Sequence, residues 1–128
     1  MKTEYIDVDG KWGIVIVLDF DTDYEEYELS AIMSSFGMRK RSISKALSVL
    51  STLNSGMAVS RDDIQMSCVF ISPTSSYSQF WNTVSHEMNH VATAIIDYYG
   101  EPYDSEGAAY LHGYLLQRVV EEIATPCI

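Results

Sequence analysis

His86, Glu87 and His90 stand in the pattern His-Glu-x-x-His within Ser85-His86-Glu87-Met88-Asn89-His90. On a helix, residues four apart lie one turn above each other on the same face. That spacing aims two imidazoles at one spot, as a zinc site requires. Glu87 follows about 100° round the helix, beside the metal rather than on it. There a carboxylate can take a proton from a zinc-activated water. With 3 His and 9 Glu in 128 residues, chance gives roughly 0.005 such matches per chain of this composition. The plainer reading is a pair of surface histidines on an amphipathic helix.

The surroundings favour a site. From Phe80 to Tyr99 the apolar residues Val84, Met88, Val91, Ile95 and Tyr98 recur at helical spacing, a stripe for the core. His86, His90, Thr93 and Asp97 form a stripe on another face, and Gly100 with Pro102 stops the helix. A catalytic zinc takes three protein ligands and keeps one position open, so the next element must supply the third. That element is Ser105 to Glu122, capped by Asp104 or Ser105, with Leu111, Leu115, Val119 and Ile123 as its apolar residues. Glu106, Tyr110 and Gly113 share a face at i, i+4 and i+7, with Ala109 beside them. Small residues allow close helix approach, so this face is expected against the His86–His90 helix, with Glu106 reaching the metal. His112, about 240° round from Glu106, is the rival ligand. Glu106 is equally a first-turn acid complementing the helix dipole.

His-Glu-x-x-His followed by a glutamate on the next helix resembles the gluzincin branch of zinc metallopeptidases, thermolysin-like in its ligand set. The text Thr83 to His90, then Asp97-Tyr98-Tyr99-Gly100, then Glu106-Gly107-Ala108-Ala109-Tyr110-Leu111-His112-Gly113-Tyr114-Leu115 is more particular. It is similar to small metallopeptidases encoded in phages and prophages. The resemblance covers about the last 50 residues, and the rest only in element order. It implies a zincin-like fold, a Zn2+ cofactor and a peptide or protein substrate.

The 128 residues, 47% hydrophobic and 20% charged, fit one globular domain spanning 1–128 with a single core. A net charge of −10 argues against nucleic acid and anionic membranes as partners. No apolar run approaches 18 residues and the N-terminus is acidic, so neither a membrane span nor a signal peptide is expected. Cys68 and Cys127 match no paired motif and read as free thiols of a cytoplasmic protein.

Residues 4–8 and 11–18 read as a hairpin about Asp9-Gly10. Ile14-Val15-Ile16-Val17-Leu18 should be a central strand buried on both faces. The acids from Asp19 to Glu28 read as a solvated loop and face; the spacing of an EF-hand is absent. Thr22 and Glu25 can form a capping box for a helix carrying Leu29, Ile32, Met33 and Phe36, ended by Gly37. Arg39, Lys40, Arg41 and Lys45 read as a linker and exposed first turn rather than a nucleic-acid patch. Ser42 is expected to cap a second helix carrying Ile43, Ala46, Leu47 and Leu50, closed by Asn54-Ser55-Gly56. Residues 57–60 make a short strand. Ile64 to Ile71 makes a better one, with Gln65, Ser67, Val69 and Ile71 on a mixed, partly open face. By the zincin resemblance and the logic of strand addition, Ile64–Ile71 is the candidate edge for an extended substrate.

The expected architecture is α+β: a small, mostly antiparallel sheet with a C-terminal helix pair carrying the metal site. The expected chemistry is hydrolysis of a peptide bond, with zinc held by His86, His90 and Glu106 and with Glu87 as general base, then general acid. Tyr110 and Tyr77 are the candidate donors to the oxyanion, and Asp97 can orient a ligand histidine. Two other classes fit the same residues: a metal-binding interaction module without turnover, and a regulatory protease with one protein target. Two His and one Glu also suit iron(II).

Overall fold

Asp9 and Gly10 both take positive φ, 54° and 69°, the pairing that a tight hairpin turn demands. Asp7 Oδ2 accepts from the Gly10 amide at 3.0 Å and locks the turn. The hairpin joins strands β1 (Lys2–Val8) and β2 (Trp12–Leu18). This is a computed structural model, which describes residues 1–100 and 105–124.

Two helices follow, α1 (Glu26–Ser35) and α2 (Lys40–Leu50), then strands β3 (Gly56–Arg61) and β4 (Met66–Ile71). The long helix α3 (Tyr77–Tyr99) and α4 (Ser105–Val119) complete the fold, with a π-helical turn at Val120–Ala124. The strand order is β1-β2-β4-β3. Both outer pairings are antiparallel and the central β2–β4 pairing is parallel, so the sheet is mixed.

Period-2 alternation splits the core between the sheet's two faces. Ile14, Ile16, Val69 and Ile71 meet Val84, Met88, Val91, Leu115 and Val119 on the α3–α4 side. Val17, Cys68 and Phe70 meet Leu29, Met33, Ala46 and Leu50 on the α1–α2 side. Each fully buried side chain of this kind contributes about 1.5–3 kcal/mol. Burial pushes the Cys68 thiol up to about 12. Among the described residues no helix is long and apolar enough to cross a membrane.

Four local expectations are corrected. The turn before α1 is organised by Asp21, not Thr22: Asp21 Oδ1 accepts from the Asp23 and Tyr24 amides, and Glu25 Oε1 accepts from the Asp21 amide. A carboxylate is the stronger acceptor of the two. Helix α2 begins at Lys40, two residues before Ser42, and has no side-chain cap. Strand β4 is not an edge. It bonds to β2 and β3 on its two sides, and Ser67, Val69 and Ile71 are as buried as Cys68 and Phe70. The edge beside α3 is β3. Lastly, the Glu106–Tyr110–Gly113 face of α4 does not pack on α3. Glu106 and Tyr110 are exposed, and a Cβ at Gly113 would meet nothing within 4 Å. The apolar stripe through Leu115 and Val119 takes the buried position instead, because its transfer from water outweighs close approach by small residues. Pro102, Asp104, Cys127 and the side chain of Ser105 lie outside the described residues.

Candidate metal centre

Helix α3 begins at Tyr77, three residues before the expected start at Phe80, so Tyr77 lies in its first turn and not in a loop. The Ser76 hydroxyl accepts from the Gln79 amide at 3.1 Å, and Gly100 ends the helix at φ 67°. Val84, Met88, Val91 and Ile95 seat it on the sheet. Burial of that stripe fixes the rotation of the helix, and so fixes where His86 and His90 emerge.

They emerge together. Their Nε2 atoms lie 3.3 Å apart, with ring centroids at 4.9 Å and planes 81° from parallel. Glu87 Oε2 is 4.0 Å from His86 Nε2. Potential ligand atoms of His86, Glu87 and His90 all fall within 4.8 Å of one another. Zinc–nitrogen bonds of about 2.0–2.1 Å at a tetrahedral angle put two ligand nitrogens roughly 3.3–3.4 Å apart. The imidazole pair therefore already has the separation that zinc requires.

The three side chains differ in exposure. The His86 side chain is 70% exposed and that of Glu87 only 5%. Burial pushes the Glu87 carboxyl up from its ordinary range, and the neighbouring His86 and His90 pull it back down. A carboxyl of raised proton affinity thus lies beside two exposed imidazoles.

Strand β3 forms the opposite wall. Gly56, Met57, Ala58 and Ser60 line a cavity of about 420 Å3 with His86, Glu87 and His90. An adjoining hollow of about 360 Å3 adds Asn54, Thr83 and Asn82. Gly56 is a contact position: a Cβ there would stand 2.9 Å from both Glu87 Cγ and Thr83 Cγ2. In the sequence Gly56 reads only as the end of a helix. The signal that it marks a close backbone approach is that it opens a strand, where glycine is otherwise unfavourable.

The other residues that the sequence nominates are not gathered here. Glu106 lies in the first turn of α4, exposed, and outside the His86–Glu87–His90 group. Among the described residues no hydrogen bond or ion pair holds it. His112 is engaged elsewhere: its Nε2 donates to the Ser85 carbonyl oxygen at 2.9 Å. Tyr110, 80% exposed, lines a separate cleft of about 740 Å3 with Trp12, Tyr99 and Tyr114. Tyr77 packs edge-on against Trp81 in a third hollow. Asp97 is exposed and forms no hydrogen bond or ion pair with either histidine among the described residues.

No protein-family model, curated protein or solved structure matches this chain.

Proposed function

We propose that the chain is a zinc-dependent peptidase of zincin-like build, whose centre is formed by His86, Glu87 and His90 against the edge of β3. The observation that carries this reading is the 3.3 Å Nε2–Nε2 separation next to a buried carboxylate. Two neutral imidazoles can also hydrogen-bond at that distance; the desolvated carboxylate beside them is what favours a metal centre.

Zinc would supply Lewis-acid polarisation of a carbonyl and bring the pKa of a bound water toward ~7. The protein's own part is to place and move protons. Glu87, 4.0 Å from His86 Nε2 and screened from solvent by Gly56 and Thr83, accepts the proton of the attacking water. Its raised proton affinity then lets it hold that proton and pass it to the leaving amine. Glu106 is the proposed third ligand. It carries no competing partner among the described residues, whereas His112 is committed to Ser85.

The free side of β3 runs along the same cavity. It offers backbone groups that no strand pairs among the described residues to an extended peptide, which supports a peptide rather than a small-molecule substrate.

Metal content of the purified protein, by elemental mass spectrometry, tests the centre. About one zinc per chain is expected, lost in His86→Ala and Glu106→Ala and kept in His112→Ala. Wild-type protein that takes up no metal on zinc titration sinks the reading. Loss with His112→Ala but not with Glu106→Ala would move the third ligand.

A further inference from the structure

Three polar side chains form a chain from the core to the β3 wall. Trp12 is 2% exposed, and its Nε1 donates to Ser67 Oγ at 2.9 Å. Ser67 is fully buried, and its Oγ lies 2.7 Å from Ser60 Oγ. The direction of the second bond follows from the first. An indole nitrogen only donates, and a serine has one proton to give. Among the described residues Ser60 is the acceptor on hand for the Ser67 proton. Were Ser60 the donor instead, the Ser67 proton would be buried without a partner, which folded proteins avoid. Hence Trp12 donates to Ser67 and Ser67 donates to Ser60.

Ser60 is left with its own proton and no protein acceptor among the described residues. Its side chain shares the α3-facing side of β3 with Gly56 and Ala58, and lines the cavity of His86, Glu87 and His90. Donation into an oxygen polarises its O–H and strengthens it as a donor. Two buried polar groups thus leave one hydroxyl proton to spare on a residue that lines the groove.

We infer that Ser60 is a substrate-positioning residue, donating to a backbone carbonyl of an extended peptide laid along the free side of β3, over the cavity that His86, Glu87 and His90 line. This rests on the peptidase reading, and it names the feature recognised: a carbonyl oxygen, not an amine or a side chain. Trp12 and Ser67 act through Ser60 and touch no substrate.

The test uses full-length protein with 15N-labelled tryptophan, with and without added zinc, and N-methylacetamide, an amide with one carbonyl and no side chain. The Trp12 indole proton should move downfield saturably as the relay tightens. The indole of Trp81, in another hollow, serves as the control. Ser60→Ala should abolish the Trp12 response, and Ser60→Thr, which keeps the hydroxyl, should restore it. A Trp12 signal that stays still in wild type, or moves equally in Ser60→Ala, overturns the inference. The two readings fail separately. Zinc binding and hydrolysis with a silent indole would remove the relay and leave the peptidase. A responsive indole in a protein that takes no zinc would remove the peptidase and leave a carbonyl-binding groove.

Discussion

Helix α3 meets β3 on one side and α4 on another, and the two contacts are built differently. Toward β3 it presents Glu87, buried beneath a glycine, with His86 and His90 open above it. Toward α4 it presents the Ser85 carbonyl, held by His112. One histidine nitrogen spent on a carbonyl is structural. Two nitrogens 3.3 Å apart beside a desolvated acid are the groups that the proposed metal centre would use. Residue type alone does not separate these cases; the third histidine differs from the other two only in what it faces.

Substitutions on the two sides should therefore behave differently. Glu87→Gln is expected to lower hydrolysis by about 10²–10⁴-fold, the usual worth of a general acid–base group, while zinc content stays near that of wild type. The sign on stability is opposite. Glu87's folded pKa lies above its unfolded value, so its ionised form is disfavoured by folding at neutral pH. The metal-free Gln variant should melt no lower than wild type. A lower melting temperature, read by calorimetry, would mean that the carboxylate is a structural acceptor.

Gly56→Ala comes next. Its methyl would stand 2.9 Å from Glu87 Cγ and Thr83 Cγ2, at a cost of about 1–3 kcal/mol for overpacking and with loss of turnover as Glu87 is displaced. Denaturant melts that coincide with wild type would show that the wall yields freely. On the α4 side, His112→Ala should cost about 1 kcal/mol for its hydrogen bond and leave zinc stoichiometry unchanged. The smallest effect is expected from Tyr110→Phe, which removes a hydroxyl from the separate Trp12–Tyr114 cleft. Peptide hydrolysis within about twofold of wild type is the expected result. A drop of about tenfold or more, roughly 1.4 kcal/mol in barrier height, would place that hydroxyl in the reaction.

What the sequence made legible was local. The four-residue spacing of His86 and His90, the Asp9-Gly10 turn, the β-branched run of β2 and the glycine stop of α3 each depend on near neighbours. What stayed hidden depends on partners far along the chain. Strand β3 reads as the weaker strand because every residue in it is only half-buried, which is what an edge against a groove looks like. Ser67 reads as part of a mixed, partly open strand face, yet it is fully buried, and Trp12, 55 residues away, and Ser60 both bond to it. On α4, two stripes share the helix, one of small residues and one of leucine and valine. Only the tertiary packing decides which is covered.

The parallel seam between β2 and β4 bears on how the molecule assembles. Each hairpin, β1–β2 and β3–β4, closes through a short loop. The seam instead pairs Ile14 with Ser67 and must wait for both helices between them to be gathered in. Closing so long a loop carries an entropic penalty and slows folding, so the seam is expected to be the last joint to form. Trp12 Nε1 reaches Ser67 across that seam. Its indole would then be a native clock, reporting the moment at which two independently formed halves become one protein.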